Sequence, residues 1–224
     1  MTVSSKSSDL TVADEKLNEL GFYIYSHEDL SISTMSSPSD IQFSNITVLY
    51  DSSNGTWAIV GGGYWINTNW HDDAGNPWLE DKMDVGGLDA IGLVITNLST
   101  PSNVDFIPKN SYGYIHNGIG EDSYLYNRST PNYEDGVMFT YQDYISKENG
   151  LFSEYKYMGQ GFSATMIYDN STFTQCDGRV AVQYVHTWEE TTITGVSIGI
   201  DSFGISFANG DSQFIAISTG TGKF

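Results

Sequence analysis

Four histidines, one cysteine and 28 acidic residues are the groups with which this 224-residue chain could do acid–base, nucleophilic or metal chemistry. The histidines are His27, His71, His116 and His186, and no two are spaced as H-x-H or H-x-x-x-H, so no local chelating pair exists. Cys176 sits in "FTQCDG" beside Asp177, whose charge disfavours a thiolate. A single cysteine rules out an intrachain disulfide and a multi-thiolate zinc site. There is no P-loop or G-x-G-x-x-G. The glycines of "VGGGYW" and "GLDAIG" lack the strand-to-helix setting of a phosphate cradle. A glycosidase with two convergent carboxylates would leave little trace in sequence, because its acids need only meet in space.

His186 lies in the most patterned stretch, "QYVHTWEETTITGVSIGI". Side chains alternate faces along a strand. Val180, Val182, Tyr184, His186 and Trp188 therefore share one face, and Ala181, Gln183, Val185 and Thr187 the other. His186 keeps company with large apolar groups, which makes it a packed, hydrogen-bonded core histidine. A catalytic role would need a carboxylate at hand, and Glu189 and Glu190 are the only acidic neighbours in sequence.

The densest candidate site is residues 64–89. It holds Tyr64, Trp65, Trp70 and Trp78 with Asp72, Asp73, Glu80, Asp81, Asp84 and Asp89. Exposed aromatic faces can stack on sugars, and long loops on rigid scaffolds often carry function. Carboxylate oxygens suit Ca²⁺, although the spacing is not that of an EF-hand. The expected site is thus a glycan platform of Tyr64, Trp65, Trp70 and Trp78, with Asp72, Asp73 and Asp84 as hydrogen-bonding groups or ligands for a possible Ca²⁺. The plainer reading buries the tryptophans and leaves the acids solvated.

The elements that must position these residues are strands. Residues 1–20 form a polar lead and a short helix ending at Gly21. From there the apolar period is two. Strands are expected at 21–26, 40–51, 57–65, 88–97, 136–144, 161–169, 179–188, 191–200, 203–208 and 212–220. A change of apolar phase within 40–51 predicts a bulge near Ser44–Asn45. Asn54-Gly55 predicts a hairpin turn. "LDAIGLVITN" is almost continuously apolar, as in a strand covered on both faces. Residues 66–87 and 98–135 are expected as loops. The whole implies a flexible lead (1–20) and one all-β domain (21–224), an antiparallel β-sandwich of jelly-roll or lectin-like type.

Composition sets the partners. The hydrophobic fraction is 39%, enough for one core. The charged fraction is 17%, against about 25% for an average protein. The net charge of −19, with 9 Lys and Arg, excludes a phosphate backbone as a natural partner and disfavours anionic bilayers. No apolar run is long enough for a spanning helix. The start "MTVSSKSSDLTV" has no apolar segment and reads as a mature N-terminus, so an export signal is expected upstream.

"YVHTWEETTITGVSIGI" and "FGISFANGDSQFIAISTG" resemble the C-terminal part of uncharacterised secreted proteins of Gram-positive bacteria, over residues 160–220. The resemblance implies an extracellular location and carries no activity. "LDAIGLVITN" and "VSIGID" also resemble two strands of legume-type lectins. Val196 replaces the histidine of that pattern and the metal ligands are missing, so the likeness extends to the strands alone. The expectation is a secreted or cell-surface binding domain, non-catalytic, for a polysaccharide or cell-surface glycan. A hydrolase with convergent carboxylates and a structural surface-layer component are the alternatives.

Overall fold

The computed structural model describes residues 22–27, 31–34, 40–72, 81–97, 108–120, 122–125, 136–147, 155–169, 177–188, 191–199, 202–208 and 213–223. The expected helix within 12–20 lies outside them. Among the described residues fifteen strands follow in chain order: β1 (Phe22–His27), β2 (Ser31–Thr34), β3 (Ile41–Phe43), β4 (Thr47–Asp51), β5 (Thr56–Trp65), β6 (Lys82–Asn97), β7 (Asn110–His116) and β8 (Asp122–Leu125). Then come β9 (Gly136–Lys147), β10 (Tyr155–Met158), β11 (Gly161–Asp169), β12 (Asp177–Thr187), β13 (Thr192–Gly199), β14 (Ser202–Ala208) and β15 (Gln213–Lys223). A 3-10 turn, Asn69–Asp72, follows β5.

All strand pairs are antiparallel. A seven-stranded sheet runs β1-β4-β5-β11-β7-β8, with β3 also on β5. A six-stranded sheet runs β10-β9-β6-β12-β15-β2. The two share one core, in which Val48, Ile59, Phe162, Met166 and Tyr168 of the first sheet meet Ile91, Leu93, Phe139, Val182 and Tyr184 of the second. The third sheet is the hairpin β13–β14, which among the described residues pairs only with itself.

Glycines let the sheets approach. A methyl group at Gly61 would overlap Val182 Cγ2 and press on Leu93, and one at Gly113 would overlap the Phe139 ring. The glycine run in β5 thus serves packing. The phase change in residues 40–51 appears as a break between β3 and β4. Phe43 pairs with Gly63 and Thr47 with Val60, a one-residue slip of the kind a bulge makes. The Asn54-Gly55 turn is a four-residue connection. Gly55 takes φ 62° and the Asp51 carboxylate accepts hydrogen bonds from Ser53 and Asn54.

The strand expected at 88–97 starts earlier, at Lys82, so the loop expected at 66–87 is shorter. An irregularity hid this. Asp84 pairs with Tyr144 and Leu88 with Gln142, so two extra residues interrupt the alternation. Gly86 sits there at φ 60°, pressed against the backbone of Thr187 and Trp188. The Gln142 side-chain amide donates to the carbonyls of Val85 and Gly87. Strands β7, β8 and β10 also fall where loops or nothing were expected.

Candidate functional site

Beyond the irregularity, β6 directs Asp89, Ile91, Leu93 and Ile95 into the shared core and Ala90 and Val94 to the opposite face. On β12, Val180, Val182, Tyr184 and His186 point inward, as alternation requires. On β9 the inward phase is Val137, Phe139, Tyr141, Asp143 and Ile145. Three adjacent strands thus place Asp89, Asp143 and His186 together in an apolar interior. Their relative exposures are 0%, 0% and 1%.

Asp89 is the hub. Its Oδ1 and Oδ2 lie 2.9 and 3.0 Å from His186 Nδ1. Oδ1 also accepts from the Thr187 amide at 3.0 Å, and Oδ2 from the Tyr184 hydroxyl at 2.7 Å. Trp65 Nε1 donates in turn to the Tyr184 hydroxyl at 3.2 Å. Tyr184 is stacked on Phe162 with centroids 3.9 Å apart, and the Trp65 ring meets His186 edge-on at 5.0 Å. Asp143 is less well provided. Its Oδ2 accepts from the Tyr157 hydroxyl, and its Oδ1 has no hydrogen-bond partner among the described residues. Trp70 covers Tyr157 as a stacked ring, 4.0 Å between centroids.

Desolvation, and then the charge of Asp89, push the Asp143 carboxyl well above its ordinary range. His186 and the Tyr157 hydrogen bond oppose this and do not reverse it. Burial first, and the nearby acids second, raise Tyr157 and Tyr184, which therefore remain neutral hydroxyl donors. The arrangement can hold charge and a shared proton. It cannot receive a sugar, because no part of it is exposed.

His186 is therefore a core residue, packed as its strand phase indicated. The partner that was not visible is Asp89, 97 residues away in sequence. The glycan platform is not assembled. Trp65 and Trp70 are 2% and 7% exposed and roof the charged cluster, while Tyr64 is on the outer face, its hydroxyl 3.0 Å from Gln42. Asp84 is exposed on β6 opposite Tyr144. Asp72 ends the 3-10 turn, and Trp78 and Asp73 lie outside the described residues.

The second unusual feature is the β13–β14 hairpin. Ile193 pairs with Phe207 and Val196 with Ile205, with a bulge between Ile193 and Gly195. Those four side chains are half-buried. They lie on the outer face of the six-stranded sheet, over Ala90, Val94, Met138, Ala181 and Val185. Thr192, Thr194, Ser197, Gly204 and Ser206 face outward and are exposed. The hairpin is therefore amphipathic, with a small-residue polar face and an apolar face docked by side chains alone. It covers one face of "LDAIGLVITN", which is why that strand is almost continuously apolar.

No family model and no curated protein sequence matches the chain. Among solved structures, a protein described as a pore forming protein aligns over 89% of this chain and 95% of its own, at 8% identity and TM-score 0.40. Clostridium perfringens delta-toxin aligns over 90% and 93%, at 8% identity and TM-score 0.31. The membrane-inserted form of Clostridium perfringens NetB toxin aligns over 91% and 100%, at 7% identity and TM-score 0.35. TM-scores of this size fall short of a shared fold. The expectation of a glycan-binding domain is corrected. Two of the tryptophans required for the platform, Trp65 and Trp70, are in the core. The hydrolase alternative is not supported either, since among the described residues the carboxylates that converge are sealed, and nothing among those residues favours a surface-layer role.

Proposed function

We propose that this chain is an exported protein that releases its β13–β14 hairpin into a lipid bilayer, several copies closing a barrel. The observation that carries the reading is the hairpin's two-faced pattern, together with its pairing to neither sheet among the described residues. A membrane strand alternates apolar residues toward lipid with polar or small residues toward the lumen, and only a closed barrel satisfies its backbone. Ile193, Val196, Ile205 and Phe207 would face lipid, and Thr194, Ser197, Gly204 and Ser206 the lumen. The facing sheets would serve as a β-sandwich scaffold that holds the hairpin until release. The eight residues of β13 reach about 26 Å, near the height of a barrel's apolar band if the strand is upright. A tilted strand would draw on residues 189–191 and 209–211 as well.

Dye release from vesicles of neutral phosphatidylcholine tests the proposal. Folded protein is expected to release an encapsulated small dye, and Val196→Asp together with Ile205→Asp is expected to abolish release. Intact vesicles at every protein concentration would contradict it.

A further inference from the structure

We propose that Asp89, Asp143 and His186 form a structural site for one divalent transition-metal ion of the zinc kind. Each residue offers a ligand atom within 4.8 Å of the other two. They come from three neighbouring hydrogen-bonded strands of one sheet, so an ion would tie β9, β6 and β12 together side by side. The closest pair, His186 Nδ1 and Asp89 Oδ1, is 2.9 Å apart. Two donors held about 2.1 Å from a tetrahedral ion stand about 3.4 Å apart, so the pair now bridged by a proton would have to part by about half an ångström to admit one.

An independent observation points the same way. Asp143 Oδ1 is buried and lacks a hydrogen-bond partner, while its sister oxygen is held by Tyr157. A buried carboxylate oxygen without a partner is costly, and such atoms usually have an ion or water to satisfy them. Asp89 is steadied by the Thr187 amide and the Tyr184 hydroxyl, the outer contacts that orient ligating carboxylates. Charge completes the case. One histidine can neutralise only one of the two acids, whereas a dication neutralises both. One imidazole and two carboxylates suit Zn²⁺ or Co²⁺ better than the all-oxygen preference of Ca²⁺.

The site is sealed, so the ion must enter during folding. The full chain should be refolded from urea with Zn²⁺, with Co²⁺ or with a chelator, then desalted. One zinc per chain is expected by elemental analysis, with visible d–d bands for the cobalt form. Asp143→Asn, a neutral isostere, should fold by circular dichroism and lose both signals, while His116→Gln, at a half-buried position on β7, keeps them. Absence of metal from the refolded wild type overturns the proposal. So does equal metal in wild type and Asp143→Asn, which would place the ion elsewhere.

Discussion

Replacing Asp89 by Asn keeps its volume and removes the charge under His186. The Thr187 amide, the Tyr184 hydroxyl and the imidazole would all lose a charged acceptor. Breaking a buried pair by removing one partner costs about 3–5 kcal/mol, and urea unfolding of Asp89→Asn is expected to show a loss of that order. His186→Ala should cost about as much, since it strands Asp89 instead. Asp143 behaves oppositely. Its folded pKa is raised above the unfolded value, so its stabilising protonated form is complete below the unfolded pKa and is lost as pH rises through the folded one. With chelator present, the stability of Asp143→Asn relative to wild type should therefore climb between pH 5 and pH 8. A relative gain by wild type over that interval would contradict the assignment. Part of this cluster is legible in the sequence. Asp89 and Asp143 are acids set in the apolar phases of "LDAIGLVITN" and "GVMFTYQDY", positions where a charge needs a buried partner. Their mutual proximity is not legible, because it depends on which distant strands become neighbours.

At the scale of elements, the close approach of β5 to the six-stranded sheet makes Gly61 a sensitive position. Gly61→Ala drives a methyl into Val182 and Leu93, and overpacking of this kind costs about 1–3 kcal/mol. Thermal unfolding should register it, while Gly195→Ala on the hairpin, whose added methyl meets only the Ser206 side chain at ordinary contact distance, should show far less. Long alternating strands such as β5, β11 and β12 stand out in the sequence because one face is buried and hydrophobic periodicity reports that directly. The segment 64–89 misled for the opposite reason. The two extra residues at Val85–Gly87 break the alternation at the start of β6, and Trp65, expected at the end of a strand, was read as an exposed platform aromatic although it points inward. The hairpin's alternation was visible too, but its separation from both sheets was not, since pairing partners are a property of topology.

Across the whole molecule, the charge of −19 bears on which surface the protein can approach. Anionic headgroups repel it, and salt screens that repulsion over about 8–10 Å. Dye release should therefore be faster from phosphatidylcholine than from phosphatidylserine vesicles, and the difference should shrink as salt is raised. The reverse order would mean that lipid contact is not governed by the overall charge. The most direct test of hairpin release is an environment-sensitive fluorophore placed singly at Ile193, Thr194, Val196, Ser197, Ile205 and Ser206, each changed to Cys in a Cys176→Ser background. On adding phosphatidylcholine vesicles, emission should shift to the blue at 193, 196 and 205 and stay at the wavelength of a watery environment at 194, 197 and 206. Unchanged emission at all six positions, or shifts without regard to the two faces, would show that the hairpin remains on its sheet or enters lipid without forming a barrel wall, and would contradict the account.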